Sequence, residues 1–242
     1  MFIYPHSVAE ADLKRRLLQT LAASSEREAE LHRLSAEPSP ADAMVWGAKD
    51  HVAHLGHWRR YAGQVLTAVR AGTPVPDADD IDTLNAAVHA ANQGRSADDI
   101  KEAALASYAE LARAIDDCSE GDLLKARPGR EMLAWEVVPP NGHLHLGDHL
   151  GMWHLAHGDQ VAADQAQRWM LELHEAAFTD PRSRAVGEYY LACYYAKQGR
   201  AADAMPHLKR SLELHPASRE WARTDKDLDR IREAPELRSI LG

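Results

Sequence analysis

The stretch WGAKDHVAHLGHWRRYAGQVLTAVRAG, residues 46–72, decides the fold of the N-terminal part of this chain. Its apolar residues recur at the three- and four-residue spacing of a helix, with polar residues between them. Gly72 is the residue type that commonly follows the last turn of a helix. The pattern therefore predicts a long amphipathic helix, which needs neighbouring elements to cover its apolar face.

Other segments of the N-terminal part predict helices of similar length. Residues 7–34 carry leucines at helical spacing, and Ser96 with Asp99 three positions later is typical of a capping box that opens another helix. A further helix is predicted within residues 142–160. Four long amphipathic helices indicate an all-α chain in which residues 1–160 form a four-helix bundle.

The segment that precedes the last of these helices is the least regular. Residues 119–138 are compatible with a short strand or with an irregular loop. We expect Pro139 and Pro140 to end this segment, because proline interrupts regular hydrogen bonding. Asn141 can then cap the following helix.

Composition excludes several classes of function. The 242 residues carry a formal net charge of -9, and 27% of them are charged. Nucleic acid and anionic membrane surfaces require clustered Lys and Arg, so neither partner is expected. Cys118 and Cys193 form no disulfide framework, which favours a reducing cytoplasm. We expect neither a signal peptide nor a membrane-spanning segment.

The C-terminal part has a different pattern. Residues 181–242 predict helix, turn and helix followed by a shorter helical cap, and residues 161–180 predict a helix that links them to the bundle. If Pro216 is aligned with the closing proline of a 34-residue tetratricopeptide repeat, the small, apolar and turn positions of that repeat coincide with suitable residues in this segment. The matching positions are Leu191, Ala192, Tyr195, Gly199, Ala204, Leu208 and Ser211. A plain helical hairpin is the alternative.

Five of the fourteen histidines lie within GHLHLGDHLGMWHLAHGDQ, residues 142–160. Positions four apart share one face of a helix, so His145 and His149 should point the same way. His143 and His154 lie ~160–180° from His145, and we expect both to be exposed. His157 lies at ~120° on the same scale.

The helix of residues 46–72 supplies the other candidate ligands. We expect His51 and His54 near the core edge, because Val52 and Leu55 should point inward, and His57 should be more exposed. Three neutral imidazoles from two facing helices suit zinc, nickel or iron and leave one coordination position open. The alternative is a set of ordinary helix histidines that bind no metal.

Three acidic residues are weaker candidates. Asp50 lies near a helix N-terminus, where a carboxylate caps the helix or supports a ligand imidazole. Glu131 and Glu136 lie in the irregular segment and are candidates for a general acid or base.

The helix of residues 46–72 also carries a family resemblance. Trp46, Asp50, His54 and Trp58 stand in the pattern W-x2-K-D-x3-H-L-x2-W, which resembles the second-helix signature of the DinB-like superfamily. That superfamily includes YfiT-like proteins, mycothiol-dependent isomerases and ClbS/DfsB-type proteins. Its histidine in D-x3-H-L commonly binds a divalent metal, together with two residues four apart near the start of the fourth helix.

The resemblance implies a ligand set. It assigns the metal to His54, His145 and His149, position by position. Some relatives place the last ligand in an H-x-G-Q motif, and the segment from His157 to Gln160 is similar to it. The residue four before His157 is Trp153, which cannot ligate, so the earlier pair is preferred.

Three functions follow as expectations. The resemblance implies a metal-dependent hydrolase or thiol transferase that acts on a small electrophilic molecule, with a divalent metal (Zn, Ni or Fe) and a low-molecular-weight thiol as cofactors. A metal-free protective protein similar to the ClbS/DfsB branch is the second. The third is an adaptor whose repeat tail binds a partner peptide. A DinB-like bundle with such a tail resembles a recurring bacterial arrangement, and relatives are often homodimers.

Overall fold

The computed structural model describes residues 10–35, 46–76, 78, 80–129 and 132–242. Within these ranges the chain forms α-helices and two short 3-10 helices, and it contains no β-strand. An isolated bridge joins Ala126 and Leu133. The predicted all-α class is therefore confirmed, and the strand alternative for residues 119–138 is wrong for the part of that segment that the structure describes. Residues 7–9 and Glu131 lie outside the described residues.

The chain divides into two compact units, Met1–His149 and Leu150–Gly242, and the division falls within helix α7. The helices up to α7 are α1 (Glu10–Leu34), α2 (Ala48–Ala71), α3 (Ile81–Asn92), α4 (Ala97–Asp117), α5 (Glu120–Leu123), α6 (Val138–Asn141) and α7 (His143–Ala156). Those that follow are α8 (Gln160–Ala177), α9 (Pro181–Lys197), α10 (Ala201–Leu214), α11 (Ser218–Ala222) and α12 (Pro235–Leu241). Of the helices in the described ranges, none has both the length and the apolar character that a membrane crossing requires.

Helix α2 forms the centre of the first unit. Val52 and Leu55 are fully buried, as the sequence predicts. Two glycines on α2 face α4 at short distance: a Cβ at Gly56 would lie 3.5 Å from the Cα of Ala104, and one at Gly63 would lie 3.8 Å from the Cα of Leu111. Both distances are those of ordinary van der Waals contact, so α2 and α4 lie directly against each other at these positions.

A buried polar network joins α1, α2 and α4. The Arg59 guanidinium donates two hydrogen bonds to the Glu28 carboxylate, at 2.6 and 3.0 Å, and a third to the Ser107 hydroxyl at 2.8 Å. The Tyr108 hydroxyl donates to Glu28 at 2.9 Å. Both charged side chains are fully buried. Each charge is compensated by the other, and that makes their burial tolerable.

The irregular segment differs from its prediction. A 3-10 helix, Ala134–Val137, runs directly into α6, and Pro139 and Pro140 lie in the first turn of α6 instead of ending the segment. Proline is accepted there because the first helical N–H groups need no partner within the helix. The Asn141 side chain donates to the Val137 carbonyl at 2.8 Å, so it closes α6 and does not cap α7.

The second unit is built around a helical hairpin. Helices α9 and α10 pack along one another, and Gly199 between them has a φ of 74° that favours glycine. Leu191, Ala192, Ala204 and Leu208 are each 1% exposed or less. The 3-10 helix Lys226–Ile231 packs against α9. The hairpin is a fact of the structure, and its assignment to the tetratricopeptide class stays a prediction.

The Arg59–Glu28 pair predicts a large difference between two adjacent arginines. Arg59→Met should lower the free energy of unfolding by about 3–5 kcal/mol, because it leaves the Glu28 carboxylate buried without a counter-charge. Arg60→Met is the matched control: Arg60 and its partner Glu110 are 36% and 47% exposed. Its cost should stay below about 1 kcal/mol. Urea denaturation of the full chain measures both, and equal losses would contradict the prediction.

Candidate metal centre

Two helices bring three histidines to one point. His54 lies on α2, and His145 and His149 lie one turn apart on α7. The Nε2 atom of His145 is 3.0 Å from Nε2 of His54 and 3.1 Å from Nε2 of His149. One ring nitrogen from each histidine lies within 4.8 Å of the other two, so the three could hold a metal ion. The predicted ligand set is thus brought together.

The start of α2 is fixed by local hydrogen bonds. The Asp50 carboxylate accepts the backbone N–H of Gly47 at 3.0 Å, which closes the first turn of the helix. Its second oxygen lies 3.7 Å from Nε2 of His89. Of the two roles predicted for Asp50, the structure shows the cap. This cap sets the position of the first turns of α2, from which His51 and His54 project.

The cluster is largely shielded from water. His54 and His149 are each 5% exposed, and His145 is half-buried. The Trp46 indole lies edge-on to His54, with ring centroids 4.9 Å apart, and stacks on His149 at 5.9 Å. Trp46 also stacks on His89, with ring centroids 5.6 Å apart. An aromatic wall beside the imidazoles lowers the local dielectric constant and strengthens polar interactions within the cluster.

Burial keeps His54 neutral. Desolvation, followed by the neighbouring His145, His51 and His57, lowers the pKa of His54 to about 2. The buried Nδ1 atom of His54 has no hydrogen-bond partner among the described residues. A metal ligand must be deprotonated, and His54 satisfies that requirement over the whole physiological range.

A tetrahedral zinc ion bound by nitrogens at ~2.0–2.1 Å places those nitrogens about 3.3 Å apart. The Nε2 atom of His145 lies 3.0 Å from that of His54 and 3.1 Å from that of His149, both close to this value. The donor set and its spacing therefore fit a divalent ion that prefers imidazole ligands.

The alternative ligand His157 lies elsewhere. It is exposed, its Nδ1 atom is 2.8 Å from the Trp153 carbonyl, and its ring stacks on the Trp153 indole at 4.1 Å. Among the residues that the structure describes, the group that could hold a metal does not include it.

The predicted exposure of His143 and His154 is wrong. The two side chains are only 1% and 6% exposed. Helix α7 carries apolar residues around its whole circumference, including the fully buried Leu144 and Leu146, and such a helix is covered on several faces. An angular offset on one helix separates faces, but it does not tell which faces meet solvent. His57 is more exposed than His51 and His54, as predicted.

The partner of His149 was not predicted from the sequence. The Nδ1 atoms of His51 and His149 lie 2.7 Å apart, and His51 is 3% exposed. The available signal was the position of His51 one turn before His54, on nearly the same face of α2. Glu136, a candidate for a general acid or base, accepts the backbone N–H of Leu133 at 2.5 Å and closes the local turn.

Comparison with known proteins adds no identification: the chain matches no protein-family model, no curated protein and no solved structure.

The depressed pKa of His54 predicts acid sensitivity of the metal-free protein. The unfolded chain protonates His54 near its ordinary pKa of 6.5, whereas the folded protein does so only at about 2. The unfolded state therefore binds more protons as the pH falls below 6.5, and stability present above that pH is lost. Between about pH 7.5 and about pH 5.5, this one group should cost about 1 kcal/mol.

Urea denaturation at both pH values measures this loss. In His54→Leu the difference between the two pH values should shrink by about the same amount, because the group that titrates only in the unfolded state is gone. An undiminished difference in that variant would show that His54 is not the source.

Proposed function

We propose that this protein is a divalent-metal-dependent enzyme of the DinB-like type. The observation that carries the proposal is the convergence of His54, His145 and His149 from α2 and α7. These are the three positions to which the family resemblance assigns the metal. Three protein ligands, rather than four, are characteristic of catalytic zinc sites, in which the remaining position accepts water or substrate.

The chemistry of the donor set limits the metal and the reaction. Neutral imidazoles suit zinc, nickel and iron, while magnesium and calcium prefer oxygen. When bound, such an ion acidifies a water or thiol and polarises an electrophile. The reaction class that we propose is hydrolysis of, or thiol transfer to, a small electrophilic molecule.

The surrounding residues would prepare the site for that chemistry. Burial and the neighbouring imidazoles keep His54 neutral, so its lone pair is available without loss of a proton. Trp46 lies against His54 and His149 and limits the access of water to them. The Asp50 cap and the packing of Val52 and Leu55 hold α2 in register beneath the histidines. Ligands held on packed helices need little reorganisation on binding.

Substitution of single histidines tests the proposal. His54→Ala, His145→Ala and His149→Ala should each abolish stoichiometric zinc binding, because a three-ligand site cannot lose one ligand without a large loss of affinity. His157→Ala, which removes the exposed alternative ligand, should bind zinc as the wild type does. Equilibrium dialysis followed by elemental analysis gives the stoichiometry, and circular dichroism checks that each variant is folded.

The outcomes separate the candidate functions. If His157→Ala loses zinc and His145→Ala keeps it, the ligand set is wrong. If the wild-type chain binds none of zinc, nickel or iron, the metal-dependent proposal fails, and the metal-free protective or adaptor function replaces it. Hydrolysis and thiol transfer are then distinguished by whether turnover of a model electrophile requires added thiol.

A further inference from the structure

We infer that His51 is a positioning residue for the metal site: its Nδ1 atom accepts a hydrogen bond from Nδ1–H of His149 and thereby directs Nε2 of His149 towards the metal. The inference rests on the proposed metal site and deepens it. In this assignment His51 does not bind the metal itself, although its ring contacts the proposed ligand His149.

The geometry separates the two nitrogens of the His149 ring. Nδ1 lies 2.7 Å from Nδ1 of His51, and Nε2 lies 3.1 Å from Nε2 of His145. The ligand nitrogens converge in a cluster of three histidines, His54, His145 and His149, and His51 is not one of them. His51 therefore contacts His149 on the side of the ring that faces away from the ligand nitrogen.

Proton counting fixes the direction of the hydrogen bond. A neutral imidazole has one N–H donor and one lone pair on its two ring nitrogens. If Nε2 of His149 gives its lone pair to a metal, its proton must be on Nδ1, and that group donates to His51. Nδ1 of His51 must then be the acceptor, which places the His51 proton on Nε2. Both rings remain neutral in this arrangement.

The surroundings make this hydrogen bond effective. His51 and His149 are 3% and 5% exposed, and Trp46 lies edge-on to the His51 ring at 5.5 Å. A hydrogen bond in such a dry environment is stronger than one in water. It would hold both the tautomer and the ring orientation of His149, as carboxylates or carbonyls do for ligand histidines in other metal sites.

The expected loss of metal affinity can be taken from other metal sites in which the hydrogen-bond partner of a ligand histidine was removed. Loss of the partner of a ligand histidine typically lowers metal affinity by about 10–100-fold. Loss of a ligand itself has a larger effect. The two roles are therefore distinguishable by affinity alone.

A matched pair of variants tests the acceptor role. His51→Asn keeps an acceptor, because the Asn side-chain oxygen occupies nearly the place of the imidazole Nδ1, whereas His51→Leu has a similar size and no acceptor. Zinc affinity is measured by competition with a chromophoric chelator. We expect His51→Leu to bind zinc about 10–100-fold more weakly than the wild type and His51→Asn to stay within about threefold.

The control is His57→Leu. It removes a half-buried imidazole from the same helix that takes no part in the ligand cluster, and its zinc affinity should be unchanged. Unchanged affinity in His51→Leu would overturn the inference, and so would an equal loss in His51→Asn. Complete loss of stoichiometric zinc in both His51 variants would make His51 a ligand and also overturn it.

Nuclear magnetic resonance of the zinc-loaded wild-type protein gives a readout that does not depend on whether variants fold. With ¹⁵N-labelled histidine, His149 should show a protonated Nδ1 and a metal-bound Nε2, and His51 should show an unprotonated Nδ1. Zinc on Nδ1 of His149, or a proton on Nδ1 of His51, would overturn the inference. Absence of zinc binding by the wild type would overturn both this inference and the proposed function, whereas normal binding with the wrong tautomers would overturn this inference alone.

Discussion

Helix α2 is buried along most of its length, so the polar groups on its inner faces depend on partners inside the protein, and among them the Nδ1 atom of His54 has none within the described residues. An unpaired polar group in such a place costs several kcal/mol, on the order of 2–7. Asp50 is satisfied by the helix's own first turn, whereas Arg59 pairs with Glu28 on α1 and His51 contacts His149 on α7. These pairings join α2 to helices distant in the chain and define where those helices lie against it.

Helix α2 has two polar regions, one around Arg59 and one around its histidines, and they differ in whether the protein alone satisfies their polar groups. The Arg59–Glu28 region is complete within the protein, since four hydrogen bonds satisfy the two charges and the Tyr108 and Ser107 hydroxyls. The histidine region is not complete in the same way. Burial and the neighbouring imidazoles disfavour the charged form of His54, so this histidine is held neutral at a cost in stability at acid pH. A metal that binds the folded form would compensate for that cost through the binding energy itself.

The features that depend on the spacing of residues within one helix were predicted correctly from the sequence. Helical spacing located the buried Val52 and Leu55, the capping rule located Ser96, and the four-residue spacing placed His145 and His149 on one face. Prediction from the sequence failed where the answer depends on neighbours. A helical wheel ranks the faces of α7 relative to each other, but it does not show which of them are covered in the folded protein, where His143 is buried.

Pro139 and the contact between His51 and His149 are two further features that depend on the surrounding structure and not on the local sequence. Pro139 was expected to end a segment, yet proline also suits the first turn of a helix, and only the surrounding backbone decides between the two. The contact between His51 and His149 joins positions 98 apart in the chain. No spacing rule within one helix predicts such a contact, because it depends on the distance between two helices and on how they are rotated about their axes.

The count of histidines near a site is therefore not the count of ligands. His51 and His54 lie one turn apart on the same helix, are buried to a similar extent and have the same chemistry. They differ in which nitrogen of the α7 histidines they meet: His54 approaches an Nε2 atom, and His51 approaches an Nδ1 atom on the opposite side of a ring. That difference in approach, set by the rotation of α2 against α7, separates a candidate ligand from a candidate support. It also keeps the number of ligands at three, the number that leaves room for a reacting molecule.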